Sequence, residues 1–135
     1  MLYLGTETNK MKKIINTIDA PTVIGPYSQA ILSGNTLYCS GLIAINPETG
    51  KLVIDNINAE TKQVMRNILA VLKAAKMNFD NVVKCSIFMK DMNDYAAINE
   101  VYARSFDCNL PAREAVQVSF LPKNVNVEIS VIAVK

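Results

Sequence analysis

The 135-residue sequence contains no histidine, so it can hold no Ser–His or Cys–His nucleophile and no imidazole acid or base. No Gly-x-x-x-x-Gly-Lys-[Ser/Thr] loop, dinucleotide fingerprint or Gly-x-Ser-x-Gly elbow occurs in it either. Chemistry on this chain must come from carboxylates, arginine, lysine, tyrosine, hydroxyls, backbone groups and water. Glu128 is the most informative of these, a carboxylate inside the apolar run Val-Asn-Val-Glu-Ile-Ser-Val-Ile-Ala-Val. Pattern alone favours a solvated strand face for it. The functional alternative is a carboxylate held on rigid sheet at the rim of a cleft, where partial burial raises its pKa and makes it a better base. Arg113, in Leu-Pro-Ala-Arg-Glu ahead of a strand, reads by pattern as a solvated loop residue. Its functional alternative is a planar fork that grips a substrate carboxylate with two hydrogen bonds. Tyr27 in Gly-Pro-Tyr-Ser, Ser40 beside Gly41, and Asn99 read by pattern as a packing residue, a turn residue and a solvated helix position.

These residues need elements to position them. Turn signals at Gly25-Pro26, Gly34-Asn35, Gly41 and Asn46-Pro47-Glu48-Thr49-Gly50 bound short strands over Gln29–Ser33, Thr36–Ser40 and Leu42–Ile45. A further strand over Lys51–Ile54 can follow the last of them. Between Asn58 and Lys76, Val64, Met65, Ile68, Leu69, Leu72 and Ala75 recur at helical spacing, with Asn58 as cap and Asn78 as stop. Val82–Lys90 alternates as a half-buried strand with Val83, Cys85, Ile87 and Met89 on one face. A second helix is expected from about Asp94 to Phe106, capped by Asn93 or Asp91, and strands over Ala115–Phe120 and Val125–Val134 close the chain. Two helices cannot cover both faces of such a sheet, so the expectation is an α+β layer with both helices on one face. The uncovered face must meet water or another subunit, and the apolar content of the last strand (Val127, Ile129 and Val131 on one side, Ile132 and Val134 on the other) favours a subunit.

Length and composition suit one domain over 12–135, with 1–11 an N-terminal extension or an alternative start ahead of Met11. Net charge is +2 and the basic residues are scattered among acids, unlike the clustered stripe of a protein that grips phosphate backbones. Three cysteines without a Cys-x-x-Cys pair, in a chain without histidine, argue against zinc and for reduced thiols in the cytoplasm. No apolar run is long enough to span a membrane.

In combination, the segments Ala20-Pro21, Ile24-Gly25-Pro26-Tyr27-Ser28-Gln29-Ala30, Leu37-Tyr38-Cys39-Ser40-Gly41, Asn46-Pro47-Glu48-Thr49-Gly50, Asp91-Met92-Asn93-Asp94-Tyr95, Ile98-Asn99-Glu100-Val101-Tyr102, Pro111-Ala112-Arg113, Leu121-Pro122 and Val127-Glu128-Ile129 resemble the RidA (YjgF) family. The resemblance runs from about residue 12 to 134, and the order and spacing of its motifs are specific. It implies a chorismate-mutase-like α+β fold, a six-stranded mixed sheet with two helices packed on one face, assembled as a homotrimer with clefts between subunits. It further implies a deaminase without metal or cofactor. The substrates would be reactive 2-imino or enamine acids such as 2-aminoacrylate and 2-iminobutanoate, released by pyridoxal-phosphate-dependent dehydratases, and the products 2-oxo acids and ammonia. In the family's pattern Arg113 pins the substrate carboxylate, and Glu128 positions or activates water. Tyr27, Ser40 and Asn99 line the cleft, and backbone at Ala115 touches the ligand. Glu114 and Ala115 depart from the small hydroxyl residue and Cys or Thr usual after Pro-Ala-Arg, and Leu42 replaces a common glutamine. Glu114 either competes for the Arg113 guanidinium or points to solvent. A regulatory protein that senses small 2-oxo acids in the same cleft is the alternative function. RNA cleavage fits poorly with scattered charge and no stacking aromatics.

Overall fold

The computed structural model describes residues 12–135; the expected extension over 1–11 lies outside the described residues. Six strands form one sheet: β1 (Lys12–Ile15), β2 (Ala30–Ser33), β3 (Thr36–Cys39), β4 (Val82–Met89), β5 (Ala112–Gln117) and β6 (Val127–Val134). Their spatial order is β1-β2-β3-β6-β4-β5, antiparallel throughout except for the parallel pair β4–β5. A parallel neighbour requires a crossover of a dozen or more residues, and the helix α2 (Tyr95–Ala103) supplies it. The second helix, α1 (Ile57–Ala74), packs against α2 and β6, so both helices cover one face as the pattern predicts.

The cap of helix α1 lies two residues before the expected one. Asn56, not Asn58, is the N-cap, its side chain accepting the Ala59 N–H at 2.8 Å. Its stripe of Val64, Met65, Ile68, Val71 and Leu72 is buried against Cys85, Ile87 and Met89 of β4 and Val127, Ile129, Val131 and Ala133 of β6. The helix ends at Ala74 with Ala75 as C-cap, and Lys76 in the left-handed region (φ 60°) turns the chain away before Asn78, which caps a following 3-10 turn instead. Asp91 likewise caps a 3-10 turn over Met92–Asp94, and α2 proper starts after it.

Four strand expectations are corrected. Leu42–Ile45 and Lys51–Ile54 form only isolated bridges, Leu42 to Ile129 and Ile45 to Leu52, and β1 takes the sixth place in the sheet. The 42–45 segment is held by Asn67 of α1, whose Nδ2 donates to the Ile43 and Ile45 carbonyls at 3.0 and 2.9 Å. Backbone groups spent on a helix side chain cannot join a ladder. In β4 a register shift between Val82 and Lys84 turns Val82 inward and Val83 outward, so Val83 does not share a face with Cys85. β5 starts at Ala112, three residues earlier than its apolar alternation indicates, because Arg113 and Glu114 are themselves strand residues.

The face without helices carries Phe88 of β4, Val116 of β5, Tyr38 of β3, and Glu128, Ser130, Ile132 and Val134 of β6, paired across the sheet as Phe88–Glu128, Phe88–Val116 and Tyr38–Ile132. Tyr38, Val116 and Val134 remain 51%, 40% and 39% exposed.

Candidate active site

The sequence-predicted residues fall into two groups, and the sheet decides which belongs to which. Side chains alternate across a strand, and directly paired residues share a face. Arg113 pairs with the buried Cys85 and Glu128 with Phe88, three residues further along β4. The guanidinium therefore lies on the helix side of the sheet and the carboxylate on the open side.

Glu128 shares a cleft with Tyr27, Ser40, Gly41 and Pro21–Ile24. The chain leaves β3, and Leu42 exchanges hydrogen bonds with Ile129 of 2.9 and 3.1 Å, which lays Gly41 directly over the Glu128 side chain. A Cβ on Gly41 would stand 2.6 Å from Glu128 Oε2, so this position has room only for glycine. Glu128 is half-buried, burial pushes its carboxyl pKa up, and it has no hydrogen-bond or ion-pair partner among the described residues. The Ser40 hydroxyl donates to the Ser28 carbonyl at 2.6 Å, which leaves its oxygen as an acceptor facing the cleft. Behind the wall lies Gln29, 2% exposed. Its amide donates to the Thr17 and Pro21 carbonyls at 3.0 and 2.9 Å and accepts the Thr17 N–H at 2.8 Å.

The second group surrounds Arg113. Helix α2 presents Tyr95, Asn99 and Tyr102 at i, i+4 and i+7 on one stripe. Arg113 Nη1 donates to Asn99 Oδ1 at 2.7 Å and Nη2 to the Tyr95 hydroxyl oxygen at 2.8 Å. Its Cζ stands 5.0 Å from the Tyr102 ring centre and 5.6 Å from that of Tyr95, within cation–π range. No carboxylate pairs with Arg113 among the described residues. Glu114 turns to the opposite face, where Lys84 Nζ approaches it to 2.8 Å and Ser86 donates to it. Those two hydrogen bonds hold its carboxyl below the usual range, and the expected competition for the guanidinium does not occur. The remaining N–H donors of Arg113 are available to an anion.

Ala115 sits beside Arg113 on the helix face, partly buried against the core. The Val118 N–H bonds to the Met89 carbonyl at 2.9 Å. By the alternation of a parallel pair, the N–H and C=O of Ala115 turn to the open edge of β5. A backbone contact there survives the loss of a side-chain hydroxyl or thiol.

Sequence reasoning missed Gln29, Gly41 and Tyr95. Gln29 and Gly41 were legible only as motif letters, since their roles depend on which backbone passes over them. Tyr95 has the helical spacing of a core residue but stays 37% exposed, with its hydroxyl on Arg113. The thiols offer no nucleophile in either group: burial pushes Cys39 up to about 12 and raises Cys85, while Cys108 is exposed on the loop after α2. Among the described residues no three His, Cys, Asp or Glu side chains cluster as a metal site, and no helix is long and apolar enough to cross a membrane.

A fold of this topology, with an uncommitted arginine and a half-buried glutamate at the motif positions, matches a known class. The family model described as Endoribonuclease L-PSP matches residues 17–135. A mouse protein named 2-iminobutanoate/2-iminopropanoate deaminase is 45% identical, with 93% of each chain covered. A protein of Lactococcus lactis named as a regulator, AldR, is 50% identical over 90% of this chain and 96% of its own. Among solved structures, RidA of an Antarctic Psychrobacter superimposes with a TM-score of 0.88 at 41% identity, covering 91% of this chain and 99% of that one. TdcF of E. coli, solved with bound serine, gives 0.89 at 39% identity, covering 92% and 99%. The chain belongs to the RidA family.

Proposed function

We propose that the chain is a hydrolytic deaminase that converts 2-imino and enamine acids to 2-oxo acids and ammonia, in a site completed between two copies. The observation that carries this reading is Arg113: a guanidinium without a carboxylate partner among the described residues, held in plane by Asn99 and Tyr95. A small 2-imino carboxylate fits such a fork, with about 1.5–3 kcal/mol per charge-assisted hydrogen bond. The imine carbon is already electrophilic, so the site has only to orient the anion, supply water and move protons. Water adds to the protonated imine carbon while the Glu128 carboxylate takes its proton. The carbinolamine then collapses with loss of ammonia, which takes the proton back from Glu128 and leaves as ammonium. A base whose pKa is raised by burial suits that transfer near neutral pH.

Since Arg113 and Glu128 face opposite sides of one sheet, a site that uses both needs Glu128, Tyr27 and Ser40 from one copy and Arg113, Asn99 and the Ala115 backbone from another. The homotrimer that the family resemblance implies is the assembly we adopt, with the exposed apolar sheet face as its contact. A cytoplasmic setting agrees with Cys39, Cys85 and Cys108 all being free thiols. The bound serine of TdcF, a small amino acid, supports the ligand class.

Adding the protein to a threonine dehydratase reaction should speed 2-oxobutanoate release, and Arg113→Ala should abolish the effect. The regulator name of the Lactococcus relative favours a second reading, in which the cleft senses 2-oxo acids without turnover. Saturable 2-oxobutanoate binding with no change in the dehydratase time course would establish that reading in place of the first.

A further inference from the structure

Resting on the deaminase reading above, we infer that Glu60 of α1 is a positioning residue for Glu128, clamping the start of β6 so that the Glu128 carboxylate points into the cleft. Glu60 is 0% exposed and lies in the first turn of α1, with no lysine or arginine paired to it among the described residues. Both its oxygens are committed to one residue. Oε2 accepts the Asn126 backbone N–H at 2.8 Å, and Oε1 accepts Asn126 Nδ2 at 2.7 Å. A buried carboxylate without a cation is a poor way to add stability. Two hydrogen bonds to one rigid fork, by contrast, fix position and orientation together.

Asn126 is where that control is needed. The chain bends there and enters β6 one residue later, at Val127. The Asn126 carbonyl accepts the Lys90 N–H at 3.0 Å, so this residue is held by α1 on one side and by the end of β4 on the other. From that fixed point β6 alternates with Val127 inward and Glu128 toward the open face, and a slip of one residue would reverse the two. Glu128 has no side-chain partner of its own among the described residues, so the backbone of β6 alone decides where its carboxylate stands. The tolerance is small, because Gly41 passes so close that a Cβ there would stand 2.6 Å from Glu128 Oε2.

The turn ahead of Asn126 needs the same anchor. Lys123 and Asn124 are both in the left-handed region, at φ 55° and 54°, which is uncommon for residues other than glycine. Lys90 Nζ donates to Asn124 Oδ1 at 2.9 Å, and Pro122 at the head of the turn lines the Glu128 cleft. Such a conformation persists only where its surroundings hold it. The Glu60–Asn126 pair holds it on the β6 side, and so sets one cleft wall as well as the carboxylate.

Moving the charge from α1 to the turn tests the clamp while keeping its atoms in place. Asn126→Asp sets two carboxylates against each other. With 2-iminobutanoate generated by a dehydratase, it should lower kcat about tenfold, the cost of shifting Glu128 by a fraction of an ångström. KM should stay nearly unchanged, because Arg113 of another copy grips the substrate carboxylate. Adding Glu60→Gln restores both bonds: the new amide donates to the new aspartate, and its carbonyl accepts the backbone N–H. The double variant should therefore return to within about threefold of the wild-type kcat. Asn126→Ala, which removes only the Nδ2 bond, should show the same loss in kcat at smaller size, and it replaces the charged variant if that one does not fold. A single variant that melts lower yet keeps the wild-type kcat overturns the inference, since the pair then serves stability alone. So does a loss confined to KM, or a double variant that regains melting temperature without regaining kcat. Wild type without any imine turnover refutes the deaminase reading itself, whereas an active wild type matched by Asn126→Asp refutes this inference alone.

Discussion

Replacing Gly41 by alanine tests how closely the Glu128 carboxylate is placed. The added methyl group would stand 2.6 Å from Oε2, 2.8 Å from Cδ and 3.1 Å from Cγ of Glu128. Ordinary van der Waals contact begins at 3.4 Å, so the nearest oxygen must retreat by 3.4 − 2.6 = 0.8 Å or more. The contact includes Cγ, so rotating the carboxylate alone does not relieve it. Gly41 is not among the glycines with positive φ, so alanine brings no backbone strain there. A catalytic group displaced on the order of 1 Å costs roughly 10²-fold in rate, or about 2.7 kcal/mol of barrier. Gly41→Ala should therefore reduce kcat/KM in the dehydratase-coupled assay by about 10²-fold, while the thermal unfolding midpoint moves little. Full activity in this variant would show that Glu128 need not sit where the glycine lets it. A large drop in melting temperature would show that the glycine serves folding instead.

Gln29→Ala strands the Thr17 and Pro21 carbonyls and the Thr17 N–H behind the cleft wall, and should cost about 1–3 kcal/mol in denaturant unfolding; an unchanged midpoint would mean that water replaces the side chain. Burial raises the Glu128 pKa, so the folded state binds that proton more tightly than the unfolded chain and the charged group lowers stability at neutral pH. Glu128→Gln should accordingly melt higher than wild type at pH 7, by a margin that closes as pH falls through the wild-type pKa, and a pH-independent difference would contradict the assignment. Glu114→Ala should leave imine turnover unchanged, since Glu114 is engaged by Lys84 and Ser86 on the far face; a marked change in KM would mean that it acts on Arg113 after all.

Much of the fold was legible because period and pattern are local. The stripe of α1 and the alternation of β6 follow from spacings within one segment, and the one-sided packing follows from counting helices. What the sequence hid depends on partners far along the chain. Leu42–Ile45 has the letters of a strand, yet Asn67, more than twenty residues on, takes two of its carbonyls. Lys12–Ile15 is too short to announce itself and becomes a strand because β2 offers a paired edge. At the site, Arg113 and Glu128 could be chosen by residue type, but their placement on opposite faces rests on the register of β4 with both neighbours. Gly41 gives the same lesson, since its need for glycine comes from a carboxylate 87 positions away.

Mixing two inactive variants tests most directly whether the halves meet between copies. Arg113→Ala and Glu128→Gln each spoil one half, and a site built from two chains can draw its arginine from one variant and its glutamate from the other. Unfolded together in equal amounts and refolded, they should recover about a quarter of wild-type imine turnover, the random share of sites with both halves intact. Refolded mixtures no more active than either variant alone would place arginine and glutamate on one chain's site, or on none.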